Sequence, residues 1–381
     1  MRYRYKDLTL FCRHLPEYDG HKVHGMVDEL DRPILGIFVS RIGSVKALNG
    51  NIATCGGGIR WWWQYASDME VFTVGLLTST AMSQKSAGLN VSLGGAKTII
   101  FPHNIGGWVA DKHGVRTWPW HIREAIWKAM AEEVMPHIPG YVTAEDSGTN
   151  VADVACIKRF APWAHVAGST EQTDSSPTTV DGMMIALKIT EHAYCNMFFE
   201  SREMKYAVQG VGNVGGGIVG KLRHAGAYNI AVADFIPKRL EVLCQKYDSL
   251  RVLPVDQIHQ EPVDVFMPCG LGGTLNKETI SEINALMVVG CANNQLAEPE
   301  DGRRMHERGI LWAPDYIANA GGMVMVNVST VTGGSIPDML NIIGTNLEEI
   351  FVDSKKFNIP TSVIADQLVR ARMEKMMTLP T

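Results

Sequence analysis

The stretch Lys205-Tyr206-Ala207-Val208-Gln209-Gly210-Val211-Gly212-Asn213-Val214-Gly215 joins a short apolar run to three spaced glycines. The run reads as a buried strand, and an apolar helical pattern follows the glycines to about Ala225. In that setting Gly210 permits a sharp turn, Gly212 lets the backbone approach a pyrophosphate, and Gly215 lets the helix pack close to the sheet. Asn213 and Val214 open the helix, whose first N–H groups are free to take phosphates. Residues 228–234 read as the next strand. Its last residue, Asp234, stands about twenty residues beyond the glycines, where a carboxylate accepts from a ribose 2′-hydroxyl. Its charge repels a 2′-phosphate, so NAD is expected over NADP, with Lys238 and Arg239 nearby to compensate. The overlapping glycines up to Gly220-Lys221 imitate a P-loop, but Leu222 follows and offers no hydroxyl to magnesium.

Working outward, residues 263–268, 285–290 and 309–313 read as further strands with helical or turn segments between them. That alternation predicts a doubly wound parallel sheet. The first third of the chain mixes patterns. Residues 33–40 and 98–101 read as strands, Gly94-Gly95-Ala96-Lys97 as a tight glycine turn, and residues 121–135 as an amphipathic helix. A Gly/Ser/Thr-rich stretch over 161–176 marks a boundary. The fold class expected is α/β with two domains, 1–168 and a Rossmann-type dinucleotide-binding domain over 169–351. A charged helical tail, 352–381, is expected to return to the first domain.

Composition narrows the function classes. A chain of 381 residues and 41.9 kDa has room for two or three domains. Thirty-five basic against 40 acidic residues leave a net charge of -5, which disfavours a nucleic-acid footprint and an anionic membrane surface. No apolar run approaches bilayer length. Seven scattered cysteines without a CxxC pair read as free thiols in a reducing compartment. Met1-Arg2-Tyr3-Arg4-Tyr5-Lys6 lacks the apolar core of a secretory leader, so a cytoplasmic enzyme is expected. The sequons at Asn90 and Asn327 are then chance matches.

Several residues carry candidate chemistry. Lys85 follows a small-residue apolar segment, and Lys97 closes the Gly94-Gly95-Ala96 run. A lysine in a partly dry pocket has its pKa lowered and can exchange protons near neutrality. Thr143-Ala144-Glu145-Asp146 places carboxylates after a strand, where one can shuttle protons to an amine or carbonyl, or cap a turn. Asn293-Asn294-Gln295 and Asp315 to Gly322 are polar clusters after strands, where sheet ligands bind. The twelve histidines show no metal-ligand spacing, and no GxSxG elbow offers an acyl-transfer serine. No metal is expected.

Taken in order, the motifs resemble the leucine/phenylalanine/valine dehydrogenase branch of the amino-acid dehydrogenase family. They are Gly57-Gly58-Ile59-Arg60, Met82-Ser83-Gln84-Lys85, Leu93 to Thr98, Thr143 to Thr149, Ser176-Pro177-Thr178-Thr179, Val208 to Gly215, Pro268-Cys269-Gly270, Ala292 to Leu296, and Ala313 to Gly322. The resemblance implies reversible oxidative deamination of an L-amino acid to a 2-oxo acid and ammonia, with NAD. By position, Lys85 binds the substrate carboxylate with the Gly57 N–H and Asn294. Lys97 activates water, and Asp146 exchanges protons with the amine. Thr179 holds the nicotinamide carboxamide, and Cys269, Gly270 and Asn293 line the cofactor. Gly56, Met82, Met323 and Val326 line the side-chain pocket.

The resemblance also implies a site in the cleft between the domains and a homo-oligomer, dimer or larger, assembled through the first domain. The chain departs from the pattern at Gly56, Met323 and Val326, which suggests room for a bulky apolar or aromatic side chain. It also departs at Gln84, in the Arg60-Trp61-Trp62-Trp63-Gln64-Tyr65 stretch, one residue longer than usual, and in a tryptophan-rich segment over 101–121 suited to core or subunit packing. Two other readings keep the fold: an imine reductase or coupling enzyme acting on a bulky 2-oxo acid in secondary metabolism, and a non-catalytic NAD-binding regulator.

Overall fold

The structure, a computed structural model, describes residues 2–43, 45–46, 51–110, 116–166, 174–195, 204–329 and 333–378. The chain divides into two compact units. Unit 1 is Met1–Asp174 with Val326–Gly334 and Lys375–Thr381; unit 2 is Ser175–Met325 with Ser335–Glu374. The boundary expected at 168/169 falls outside the described residues.

Unit 1 runs β1 (Arg4–Asp7), β2 (Lys22–Val27), β3 (Pro33–Val39), β4 (Val45–Lys46), β5 (Ile52–Ala53), β6 (Cys55–Arg60), β7 (Gly94–Ile100), β8 (Val109–Ala110), β9 (Arg116–Thr117), β10 (Tyr141–Glu145) and β11 (His165–Val166). Seven of them form a mixed sheet in the order β1-β2-β3-β7-β6-β10-β11, parallel from β7 onward. Alternation on β7 sets its two faces. Ile99 packs with Val71, Phe72 and Leu76 of the Asp68–Gly88 helix, while Ala96 and Ile100 pack with Trp127, Val134 and Ile157 on the other side.

The run Gly94 to Lys97 is the first half of β7, not the tight turn its glycines suggest. The glycines serve an approach between backbones. A Cβ on Gly95 would lie 2.2 Å from the Ser83 nitrogen and 2.3 Å from the Ser79 carbonyl oxygen of the overlying helix. Ser83 Oγ accepts from the Gly95 N–H at 2.9 Å and shares a 2.7 Å hydrogen bond with Ser40 Oγ, which fixes the helix on the sheet. The helix expected over 121–135 starts at Trp120 and stays regular to Ala129. It then widens over Met130–Val134 and tightens over Met135–His137, where the Pro136 ring excludes a regular turn. In the tryptophan-rich segment Trp118 is core, its ring tilted 37° to that of Trp61 with centroids 5.2 Å apart, whereas Trp108 and Trp120 are exposed.

Unit 2 runs β12 (Lys205–Gln209), β13 (Asn229–Ala233), β14 (Arg251–Val252), β15 (Val263–Pro268), β16 (Ala285–Val288) and β17 (Leu311–Trp312). All are parallel, in the order β14-β13-β12-β15-β16-β17. Counted along the chain this is 3-2-1-4-5-6, the doubly wound Rossmann order, with its switch point between β12 and β15. The tail departs from expectation. The Ile336–Phe357 helix buries Leu340, Ile343 and Leu347, and its Gly344 abuts Ile185 and Ile189 of the Ser176–Cys195 helix within unit 2. Asn358, left-handed at φ 53°, turns the chain before Pro360. The Thr361–Thr378 helix is tied to the same unit through Tyr316 to Asp366 (2.6 Å) and Thr361 to the Trp312 carbonyl (2.8 Å). Only Lys375–Thr381 group with unit 1, because the apolar faces of the tail are spent on unit 2.

Candidate active site

Strand register brings the charged groups of unit 1 together. Gly56 is level with Gly95 on β7 and Val142 on β10, and Arg60 is level with Ile99. Side chains two apart share a face. Gly95, Lys97 and Ile99, then Gly56, Gly58 and Arg60, then Val142 and Ala144 therefore lie on one side, and Asp146 leaves the end of β10 on that side. Lys97 Nζ is 2.7 Å from Asp146 Oδ2, and Arg60 Nε donates to the same oxygen at 2.9 Å. Gly58 leaves the space they meet in. A Cβ there would lie 2.9 Å from Asp146 Cβ and 3.4 Å from Lys97 Nζ.

Electrostatics follows from this packing. Burial alone pushes the Asp146 carboxyl up, but Arg60 and Lys97 outweigh it and hold the group well below the usual carboxylate range. Burial pulls the Lys97 ammonium down. Asp146 opposes and Arg60 assists, and the net is below an ordinary lysine. Burial also pulls Arg60 down, but Asp146 and Tyr65 carry it above an ordinary arginine. The cluster thus holds an ionised acceptor with 20% of its side chain accessible beside a lysine with 5%. That is a base and a tunable amine in contact.

The loop bearing Asp146 is held from several sides. The Asp146 N–H donates to Thr149 Oγ1 (2.9 Å), and Thr149 Oγ1 donates to the Ile59 carbonyl (2.7 Å). The Trp61 N–H donates to the Ser147 carbonyl at 2.9 Å, and Arg123 to that of Gly148 at 3.1 Å. Arg123 also grips the fully buried Asp153 at 2.8 and 2.5 Å, and its guanidinium lies 4.4 Å from the Trp61 ring centroid. Lys85 is buried near the end of the Asp68–Gly88 helix, with Met82 half-buried one turn earlier.

Two glycines of β6 are closely packed. A Cβ on Gly57 would strike the Ala96 carbonyl oxygen at 1.7 Å, so that glycine is a packing requirement. Gly56 does not widen a pocket as its small size suggests. The space a Cβ would take is closed by Leu93 at 3.0 Å and Val142 at 3.3 Å.

In unit 2 the fingerprint lies between β12 and β15. Gly210 has φ 97°, which only glycine adopts freely. A Cβ on Gly215 would lie 2.0 Å from the Gly210 carbonyl oxygen. Both glycines are explained by the protein's own packing. Gly212 is not. It caps the Asn213–His224 helix, and a Cβ there would meet only the end of Arg239, at 3.7 Å. Among the described residues nothing else comes within 4 Å of a side chain at Gly212, and the first N–H groups of the helix it caps are of the kind that takes phosphates. Cys269 and Gly270 lie against Gly210 and Gly215, while exposed Asn213 and half-buried Val214 open the helix. Asp234 accepts from the N–H groups of Val211 and Ile236, each at 2.8 Å.

Asn293 and Asn294 pack on the Gly272–Gly273 loop, and the Asn294 N–H donates to Asp315 at 2.7 Å. Thr179 Oγ1 donates to the Ser175 carbonyl at 2.8 Å, which leaves its lone pairs to accept. Met323 is buried in unit 2, and half-buried Val326 groups with unit 1. No group of three or more metal-ligating side chains occurs among the described residues.

The structure thus joins Lys97 to Asp146 in unit 1, and Gly210, Gly212, Gly215, Asp234, Cys269 and Gly270 in unit 2. Sequence reasoning gave Arg60 no role, although its place two residues beyond Gly58 sets it on the Lys97 face. It also missed Arg123, whose partners are 25 and 30 residues away.

Comparison with known proteins gives concordant results. A family profile described as Glutamate/Leucine/Phenylalanine/Valine dehydrogenase matches residues 238–334. The leucine dehydrogenase of Geobacillus stearothermophilus is 34% identical over 327 residues, 84% of this chain and 83% of that one. The phenylalanine dehydrogenase of Thermoactinomyces intermedius is 32% identical over 82% of each chain. Among solved structures, the L-tryptophan dehydrogenase of Nostoc punctiforme superposes with a TM-score of 0.66 at 24% identity, covering 91% of this chain and 93% of that one.

Proposed function

The chain belongs to the glutamate/leucine/phenylalanine/valine dehydrogenase family, and on that premise we propose that Lys97 and Asp146 carry out the deamination of an apolar or aromatic L-amino acid. The protein is an amino-acid dehydrogenase, an oxidoreductase that works with a nicotinamide dinucleotide. The buried Lys97–Asp146 pair, 2.7 Å apart with Arg60 on the same carboxylate, is the observation that carries the assignment of roles.

Lys85 holds the substrate carboxylate with the Gly57 N–H. Asp146, kept ionised by Arg60, accepts a proton from the substrate ammonium. The bound dinucleotide supplies the acceptor for the hydride leaving the substrate Cα. Lys97 takes a proton from the water that adds to the resulting imine and stabilises charge on its oxygen. Asp146 then returns a proton to the departing ammonia. Thr179 accepts from the carboxamide N–H, and Cys269, Gly270 and Asn293 line the cofactor. Asp234 favours NAD. Met82 and Val326 line the side-chain pocket, and the names of the two curated relatives support an apolar or aromatic substrate. Exposed Trp108, Val109 and Trp120 support an association surface on unit 1 and a homo-oligomer. Seven free cysteines support a cytoplasmic setting.

The test is NADH consumption with ammonia and a panel of 2-oxo acids, from aliphatic to indolic, with products identified by mass. Turnover of apolar or aromatic 2-oxo acids to the L-amino acids is expected. The assignment of roles is overturned if Lys97→Ala and Asp146→Ala turn over as fast as the parent. A product other than the simple amino acid would point to an imine reductase instead.

A further inference from the structure

We propose that Arg123 is a positioning residue for the reaction, holding the loop that carries Asp146 so that its carboxylate stays on Lys97. The inference rests on the proton-exchange role given to Asp146 and names what keeps that group in place. Asp146 follows the end of β10, and the chain then runs through Ser147, Gly148 and Thr149 to Asn150, the cap of the Val151–Phe160 helix. Gly148 has φ 81°, and a Cβ there would lie 1.9 Å from the Trp61 carbonyl oxygen. The position suits glycine alone, the residue with the most backbone freedom to lose. A loop with such a joint two residues from the reacting carboxylate keeps one shape only if it is tied from outside.

Arg123 supplies that tie from the Trp120–Ala129 helix. Its Nη2 donates to the Gly148 carbonyl at 3.1 Å and to Asp153 Oδ2 at 2.5 Å, while Nε donates to Asp153 Oδ1 at 2.8 Å. Asp153 is fully buried, so removing its cation would strand a charge in the core. It is anchored in turn, accepting from Trp127 Nε1 at 2.8 Å and from the Asn150 N–H at 2.9 Å. The guanidinium also lies 4.4 Å from the ring centroid of Trp61, whose N–H donates to the Ser147 carbonyl at 2.9 Å. Ser147, Gly148 and Asn150 are thus each tied, directly or through one residue, to a single planar fork of donors. Arg123 acts on Asp146 through this loop and not by contact. Among the described residues the other ion pair between these two helices, Arg159 with Glu124, is more exposed and makes no hydrogen bond to the loop.

The experiment compares the full chain with Arg123→Met/Asp153→Asn, Arg123→Lys and Arg159→Ala, reading kcat, NADH binding and the pH dependence of kcat/KM. The double variant removes both charges together, so no buried charge is left unpaired. Arg123→Lys keeps a cation beside Asp153 but lacks the fork that also reaches Gly148, and it decides the matter if the double variant does not fold. Both are expected to lower kcat about tenfold to a hundredfold with NADH binding in place. Both are also expected to move the limb governed by Lys97 to lower pH. Asp146, from the end of β10, raises the Lys97 proton affinity, and Arg60, from β6, lowers it. A carboxylate that drifts away leaves burial and Arg60 to pull the ammonium further down, an effect that lost stability alone does not produce. Arg159→Ala is expected to keep the parent's rate and limb. Parent-like rates in the Arg123 variants, a loss with the limb unmoved, or an equal loss in Arg159→Ala overturns the proposal and leaves the role of Asp146 standing. Parent-like turnover in Asp146→Ala overturns both.

Discussion

Asp146 in unit 1 and Asp234 in unit 2 are both largely buried, and both end a parallel strand or follow one. They are held by opposite means. Asp146 takes two cations on one oxygen and keeps 20% of its side chain accessible. Asp234 takes two backbone N–H groups, keeps 5%, and has its cation at 3.6 Å. Side-chain cations tune a carboxylate's proton affinity and can change partners when substrate enters. Backbone N–H groups cannot move away, so they turn a carboxylate into scaffold. The difference fits the proposed roles, proton exchange for Asp146 and the shaping of a binding surface for Asp234.

Exchanging charge for amide at the two positions is the strongest test of that contrast. Asp146→Asn is expected to lower kcat by about a thousandfold and leave NADH binding in place. Asp234→Asn is expected to act on dinucleotide binding and leave the chemical step. Steady-state rates with nucleotide titrations separate the two, and a similar kcat loss in both would erase the distinction.

A smaller effect is expected from the glycines beside each aspartate. Gly58→Ala pushes a methyl to within 2.9 Å of Asp146 Cβ, and displacing the carboxylate is expected to cost about a hundredfold in kcat. Gly212→Ala meets no backbone. It is expected to weaken NADH binding about tenfold, with unfolding free energy within about 0.5 kcal/mol of the parent. A large loss of stability in Gly212→Ala would mean that the protein, not the ligand, needs that space.

The smallest expected effect is a displacement along the pH axis. Arg60 helps pull Lys97 down and hold Asp146 down. In its proposed role Lys97 acts as a base in its neutral form, so the rate limb it governs rises with pH through its folded value, below that of an ordinary lysine. Arg60→Gln raises that value, and the limb of kcat/KM moves to higher pH. The same change raises the Asp146 value. A depressed carboxylate contributes stability that is full above its ordinary range and is lost as pH falls through the folded value. In Arg60→Gln that loss is complete at higher pH and smaller in total, which acid unfolding followed by fluorescence will register. An unmoved limb would detach Arg60 from the proton chemistry.

The parts legible in the sequence were those whose chemistry is local. The strand–glycine–helix run from Lys205 to Gly215 carried its own context, and β12 and β13 followed from apolar runs bounded by turns. The glycines Gly94 and Gly95 misled because the same residue serves chain reversal and close backbone approach. Only the overlying Ser79 and Ser83 distinguish the two. Gly56 misled for a related reason, since Leu93 and Val142 fill the space its small size releases. The tail was legible as helix and illegible in destination, because an apolar face does not name the surface that covers it.

By itself the sequence determined a Rossmann-type α/β chain whose ordered motifs resemble amino-acid dehydrogenases, a resemblance that makes two lysines and an aspartate the candidates for the chemistry. Those features rest on motif spacing and on the period of apolar residues, which are properties of neighbouring positions. The tertiary structure decided which charges meet. Lys97, Arg60 and Asp146 are brought onto one face by the register of three strands. Such pairings join residues up to 86 positions apart, and no local pattern encodes a distance between chain segments that only packing sets.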